Sequence, residues 1–241
     1  MKTVSAPLRI DLCGGALDIQ PIPAELGPVH IISAAINIRV TGSITSNNDN
    51  NEAKYNGKGL LVSYCLPPVV SAGSGLGSSG VMNLVWLALV SNEKDPYVLA
   101  EQVYNIEKAT GVIGGTQDQF TSAYGGLLDL TFIHDRVIIS TIFGADDLGY
   151  LDNISPKLFL IDTQITRTSS DASKVFIDKY KRSRNITMVN KLVALSNRSS
   201  EWLSHAMSNI CKLRWNAFDK MMCNMLNSDW NIRQHLYPIN A

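Results

Sequence analysis

Gly73-Ser-Gly-Leu-Gly-Ser-Ser-Gly80 runs directly into the apolar stretch Val81 to Val90. A loop of glycine and serine lets backbone N–H groups approach an anion closely. A helix starting behind it aims its positive dipole end and its unpaired N–H groups at the same point. The guest this predicts is a phosphate, carried by a nucleotide or a phosphorylated metabolite. A flexible surface turn is the plainer alternative, but linkers rarely lead straight into so apolar a helix.

Several phosphate loops share parts of this pattern, and the context separates them. No lysine follows the glycines, which removes the G-x-x-x-x-G-K-[ST] loop. Gly75, Gly77 and Gly80 form a formal G-x-G-x-x-G, and Asp95 lies about twenty positions further on. In a dinucleotide-binding unit that acid would end a second strand. Asp95 instead precedes Pro96 and a helical pattern, which predicts an N-cap with proline at the first helical position. The protein-kinase elements V-A-I-K, H-R-D and D-F-G are absent from the chain.

Working outward, Leu60 to Tyr64 reads as a short strand leading towards the loop, and residues 46–59 as an exposed turn rich in Asn, Gly and Lys. Residues 31–40 end in the alternating run Ile36-Asn-Ile-Arg-Val40, a half-buried strand. Helices are predicted at 78–91 and 96–109, with Gly111 placed to stop the second. Leu127 to Phe132 and Arg136 to Ile142 bracket His134-Asp135 as a hairpin, and Lys157 to Asp162 reads as another strand. From about 170 to 236 the pattern is helical, and Trp202, Trp215, Phe218, Met221 and Met225 fall at core spacing. Strands first and helices late predict an α+β protein with two lobes, 1–150 and 151–241.

Composition bounds the function further. The 241 residues are 45% apolar and 17% charged, enough for a sizeable core. Twenty-one basic residues balance twenty-one acidic ones, so neither a nucleic-acid nor a membrane partner is expected. Cys13, Cys65, Cys211 and Cys223 have no metal-type spacing and read as reduced thiols of a cytoplasmic protein. No apolar run is long enough to span a bilayer.

The loop resembles the second motif of the GHMP small-molecule kinases, a pattern close to P-x-x-x-G-L-G-S-S-A. Gly75-Leu-Gly-Ser-Ser79 matches it, and Gly80 replaces the alanine. Three more stretches resemble the sugar-kinase branch, with its heptose 7-phosphate and fucose kinases. Ser5-Ala-Pro-Leu-Arg-Ile-Asp-Leu-Cys-Gly-Gly-Ala-Leu-Asp18 looks like A-P-x-R-I-D-x-x-G-G-x-x-D. Gly114-Gly-Thr-Gln-Asp-Gln119, followed by Tyr124-Gly-Gly126, is similar to the segment carrying the catalytic aspartate. Asp162-Thr-Gln-Ile-Thr-Arg167 is similar to a T-G-x-T-R element. Four motifs in order across residues 5–170 make the resemblance specific. It implies a two-lobed fold, with a ribosomal-protein-S5-like N-terminal lobe and a helical, ferredoxin-like C-terminal lobe. It also implies ATP and Mg²⁺ as cofactors and a small sugar or sugar phosphate as partner; a homodimer is left open.

The resemblance assigns roles that the residues alone leave open. Asp118 would be the general base; without the resemblance it reads more readily as an Asp in a polar loop. Glu107 shares a helix face with Val103 and Tyr104, so it is either a magnesium ligand or a solvated residue beside Lys108. Ser79 would add a hydroxyl to the metal. Gly73, Ser74, Gly75, Leu76, Gly77, Ser78, Ser79 and Gly80 would hold the phosphates, although either serine can equally cap the helix. Arg9 would steady charge at the reacting group; the plainer reading is a surface arginine on an edge strand. Asp11 and Asp18 would contact sugar hydroxyls, Gly14 and Gly15 would leave room for the ring, and Gln117 would join them. Arg167 is either an anion contact or a helix cap. His30, His134, His205 and His235 receive no catalytic role.

The chain also departs from the pattern. The family's glycine-rich third motif is missing, since no glycine follows Gly149. Residues 41–72 are short for the helix expected there. The C-terminal lobe is therefore expected to be incomplete. The leading expectation is an ATP-dependent sugar kinase. The alternatives are a non-catalytic sugar or nucleotide sensor on the same fold, or half of a split kinase; a phosphate-dependent decarboxylase fits the Gln117-Asp-Gln119 context less well.

Overall fold

The computed structural model describes residues 2–46, 60–65, 73–144, 169–182 and 186–208, together with 224, 228 and 229. The expected strand at 157–162, all but Ser46 of the turn expected at 46–59, Arg167, and the expected core residues Trp215, Phe218, Met221 and Met225 lie outside the described residues.

One antiparallel sheet organises the molecule. Its strands are β1 (Lys2–Cys13), β2 (Val29–Ser46), β3 (Leu60–Cys65), β4 (Leu127–Ile133) and β5 (Arg136–Phe143). The long strand β2 is its spine. Along one edge β2 pairs with β1, from Lys2↔Ile44 to Cys13↔Ile32. Its other edge is shared: β4 takes Val29 to Ala34, and β3 takes Thr41 to Ser46. β5 then pairs with β4 across the turn at His134, which adopts φ 56°. The strand predicted at 31–40 is thus longer than its alternating segment. Pairing on both edges carries the extended backbone through Gly42 and Ser43, where propensity is weak.

Among the described residues β1 pairs on one side only, which is where a strand tolerates Pro7. Register shifts lie between Pro7 and Arg9 and between Asp11 and Cys13. They bracket the Arg9–Asp11 segment, and the Arg9 N–H bonds the Leu76 carbonyl of the glycine-serine loop (3.2 Å). Bulges of this kind commonly re-aim a side chain beside a site.

Among the described residues six helices accompany the sheet: α1 (Ile22–Leu26), α2 (Ser78–Val90), α3 (Pro96–Ala109), α4 (Gln117–Tyr124), α5 (Ser169–Lys181) and α6 (Ile186–Ser208). α2 and α3 match the expected bounds closely. Asp95 caps α3, accepting from the Tyr97 and Val98 N–H groups (2.8 and 3.4 Å), and Gly111 follows its end at φ 84°. At the C-terminus of α2 the Lys2 ammonium donates to the Ala88, Leu89 and Ser91 carbonyls (2.7, 3.0 and 2.9 Å). A cation there satisfies orphan acceptors and complements the dipole.

Ile31 and Ile32 point to opposite faces of β2 and both are fully buried, so the sheet is covered on both sides there. Val81, Leu84 and Val85 of α2 pack with Ala6, Leu8 and Val40. Leu195 and Leu203 of α6 pack with Leu12, Ile32, Leu127 and Phe143. The largest cluster joins Phe120 of α4 to Leu17, Ile22 and Leu130, and takes in Phe176 of α5 and Leu192 of α6. No helix among the described residues is long and apolar enough to cross a membrane.

Candidate active site

The glycine-serine loop at 73–80 is built on left-handed glycines. Gly73, Gly75 and Gly77 have φ 79°, 80° and 77°, a region that L side chains enter only at a cost of about 1–2 kcal/mol. Gly77 is the N-cap of α2 and, lacking a side chain, makes no cap bond. The first N–H groups of α2 are therefore not satisfied by a local cap. Among the described residues a Cβ built at Gly75 would meet nothing within 4 Å. Ser78 is buried at the start of α2 and Ser79 is exposed.

Arg9 joins this loop to α4. Its Nε donates to Asp118 Oδ1 at 2.7 Å, and its Nη2 lies 2.5 Å from the same oxygen. Its Nη1 donates to the Gly75 carbonyl at 2.8 Å. Arg9 is 9% exposed. Burial disfavours its charge, but Asp118 and Asp11 outweigh that effect and its pKa is raised above the ordinary value. Both Arg9 bonds to Asp118 end on Oδ1, and neither engages Oδ2, which lies towards Gly77.

Asp118 stands on a helix, not in a loop. α4 begins at Gln117, so Asp118 occupies its first turn. Eight residues with no apolar period in QDQFTSAY give a weak helical signal on their own. Tertiary contacts supply the rest: Phe120 is buried beside Tyr97, their ring centroids 5.2 Å apart.

Glu107 on α3 points towards α2 and α4. Its Oε1 accepts from Asn83 Nδ2 (2.7 Å) and its Oε2 from Gln119 Nε2 (2.6 Å). Burial pushes its pKa up, the two amides pull it down, and the charge of Asp118 adds to the rise. A residue freely solvated beside Lys108 would have neither amide partner. Sequence reasoning missed Asn83 in this arrangement; the available signal was a lone amide inside the apolar run Val81 to Val90. Gln119 was legible as a neighbour of Asp118 but not as a partner of Glu107.

Asp18 approaches from the β1–α1 connection and is 6% exposed. Its Oδ2 accepts from the Gln117 N–H at 2.9 Å. Burial is the largest influence and pushes its carboxyl up to about 6; backbone N–H groups at Gln117 and Thr116 oppose the shift, and Asp118 is near enough to add to it. Among the described residues, Asp18 Oδ1 and Gln117 Oε1 are buried acceptors with no hydrogen-bond partner. Tyr104 lies close enough to Asp18 for that charge to raise its phenol pKa, after burial.

The remaining predicted residues are also located. Asp11 lies near enough to Arg9 to favour its charge. Gly14, at φ 84°, presses against the His30 carbonyl and donates its N–H to Asp229 Oδ1 (3.1 Å). Its need for glycine is met by that packing. Gly15 follows it in the turn before Asp18. A histidine does pair with a carboxylate, though away from this site: His30 Nδ1 lies 2.9 Å from Asp129 Oδ1. Thr131 reaches the same nitrogen, and Ser200 of α6 donates to Asp129 Oδ2.

Comparisons with known proteins bear on the fold that carries these residues. No family model matches the chain. The D-glycero-alpha-D-manno-heptose 7-phosphate kinase of Campylobacter jejuni is 26% identical over 218 residues, 71% of this chain and 62% of the relative. The chain thus spans 62% of the length of the curated relative it matches. Among solved structures, a D-glycero-D-manno-heptose 1-phosphate kinase from Bacteroides thetaiotaomicron superposes with a TM-score of 0.61 at 19% identity, over 96% of this chain and 79% of that one. The chain is similar in sequence to a heptose-phosphate kinase and shares the fold of the GHMP kinases. Phosphomevalonate kinase of Streptococcus pneumoniae, solved with phosphomevalonate and AMPPNP, has the same fold. Its TM-score is 0.62 at 11% identity, covering 99% of this chain and 81% of that one. The GHMP-kinase fold is thereby shown across most of the chain, the α+β class included.

Proposed function

We propose that this chain of GHMP-kinase fold transfers the terminal phosphoryl group of ATP to a hydroxyl of a sugar or sugar phosphate, with a heptose 7-phosphate as the first acceptor to try. One observation carries the reading. Arg9 holds Asp118 through Oδ1 and the Gly75 carbonyl through Nη1, so a base, a cation and a phosphate loop share one guanidinium. The heptose-phosphate kinases among its relatives support the choice of acceptor.

The residues fit the nucleotide. Backbone N–H groups of residues 73–80, with α2 starting behind them and no side-chain cap, form the cradle that triphosphate oxygens require. They also fit Mg²⁺: Glu107 offers a carboxylate, and Ser79 a hydroxyl at the start of α2. That hard-oxygen set is short enough to leave positions for phosphate and water. When bound, the metal supplies charge neutralisation across the phosphates. The Asn83 and Gln119 amides hold Glu107 in one orientation.

Asp118 accepts the proton of the sugar hydroxyl at Oδ2, and Arg9 keeps Oδ1 engaged and balances the negative charge gathering there. Asp18 Oδ1 and Gln117 Oε1 are unfilled buried acceptors, and hydroxyl donors of a sugar satisfy them.

The test is an ADP-release assay with ATP and Mg²⁺ across heptose 7-phosphate, heptose 1-phosphate, fucose and mevalonate. Sugar-dependent turnover is expected, with a loss of about 10²–10⁴-fold in Asp118→Asn. Saturable ATP or sugar binding with no turnover on any acceptor would overturn the kinase reading in favour of a sensor.

A further inference from the structure

We propose that Asp18 is a positioning residue: its Oδ2 caps the helix that carries Asp118, while its Oδ1 is left for the acceptor substrate, so one carboxylate couples substrate docking to the placement of the base. The coupling rests on Asp118 being that base, as argued above; the cap does not.

The start of α4 lacks a cap of its own. Thr116 occupies the N-cap position with φ −114° and ψ 0° and makes no side-chain bond to the helix. A helix start leaves several N–H groups without intrahelical partners. The Gln117 N–H is satisfied from 99 positions away in the chain, by Asp18 Oδ2. Asp118 is the next residue, and α4 is only eight residues long, so its first turn governs where Asp118 points.

Gly115 is a second, independent sign of the same contact. A Cβ at this position would overlap the Asp18 carboxylate. Gly115 is absent from the positive-φ glycines, so close approach, and not backbone conformation, is what calls for glycine here. The carboxylate is also held from behind. Gly14 and Ala16 turn through φ 84° and 68°, the Leu17 and Ile19 N–H groups bond the Gly14 and Ala16 carbonyls, and both side chains are buried in the core. A rigid loop thus presents a carboxylate with one oxygen spent on the helix and one buried and unfilled. A group that merely touched the sugar would need neither the helix bond nor the glycine pressed against it.

Hydrogen exchange of the Gln117 amide, read beside steady-state kinetics with ATP and D-glycero-D-manno-heptose 7-phosphate, tests this. Asparagine can still accept from Gln117, whereas alanine cannot. Asp18→Ala is expected to speed Gln117 exchange by about fivefold or more, the worth of one cap, and Asp18→Asn by clearly less. kcat is expected to fall about tenfold further in Asp18→Ala than in Asp18→Asn, while both raise KM for the heptose. If Asp18→Ala does not fold, Gly115→Ala presses on the carboxylate with Asp18 intact and is expected to deprotect Gln117 likewise. Gln117 exchange at the wild-type rate in Asp18→Ala or Gly115→Ala overturns the cap. Equal kcat in the two Asp18 variants overturns the coupling. A wild-type chain with no turnover overturns the base reading and the coupling with it, while the exchange result still decides the cap.

Discussion

Arg9 and Asp118 are 109 positions apart in sequence and meet through a forked, mostly buried ion pair. Lysine cannot reproduce that fork while also reaching the Gly75 carbonyl. Arg9→Lys is expected to lower kcat more than about tenfold and to cost about 1–3 kcal/mol in urea unfolding, because the Gly75 acceptor and Asp118 lose aligned donors. Asp18 gives a pH prediction. Its folded pKa, about 6, lies above the ordinary carboxylate value, so the folded state holds a proton that the unfolded chain releases. Its contribution to stability is therefore present at low pH and is lost as pH rises through about 6. Relative to wild type, Asp18→Asn is expected to gain up to about 3 kcal/mol between about pH 4 and pH 7.5, read from urea unfolding at both. In kinetics the ionised carboxylate is the better acceptor for a hydroxyl, so KM for the sugar is expected to rise as pH falls through about 6. Arg9, Asp18, Glu107 and Asp118 were all legible as candidates in the sequence. Their partners were not, because Asn83 and Gln119 reach Glu107 only once α2, α3 and α4 pack together.

At the scale of elements, the loop and α4 are the informative pieces. Gly75 and Gly77 share left-handed backbone but differ in surroundings. Among the described residues a Cβ at Gly75 meets nothing within 4 Å, whereas one at Gly77 comes within 3.2–3.4 Å of Asp118 and Arg9. Gly75→Ala is expected to cost only the backbone strain, about 1–2 kcal/mol. Gly77→Ala should cost more and also depress kcat, since it pushes on the Arg9–Asp118 pair; parallel urea titrations and turnover assays separate the two effects. Helices α2 and α3 were readable because apolar period, Asp95-Pro96 and Gly111 all pointed to one answer. α4 was not. It is short, and its N-terminal N–H bond comes from Asp18, which no local window contains.

For the whole molecule, the second buried polar cluster matters. Asp129 in β4 accepts from Ser200 of α6 and pairs with His30 of β2, which ties α6 to the sheet. Asp129 is 5% exposed, so losing a donor there is costly. Ser200→Ala is expected to destabilise by about 1–3 kcal/mol and lower the melting temperature by several degrees, without changing KM for ATP. A melting curve with parallel ATP kinetics checks it.

The sequence by itself determined the fold class, the glycine-serine loop leading into α2, the caps of α3 and the four candidate charged residues. Those readings rest on local spacing and on motif order, which survive without coordinates. Only the tertiary structure decided which groups touch: Arg9 with Asp118, Asp18 with the start of α4, Glu107 between two amides, and His30 with Asp129. Each of these pairs except Glu107–Gln119 and Glu107–Asn83 spans about a hundred positions, and even those two cross between helices. Hydrogen bonds act over about 3 Å, and which residues come that close is set by the shared sheet and its bulges, not by neighbours in the chain.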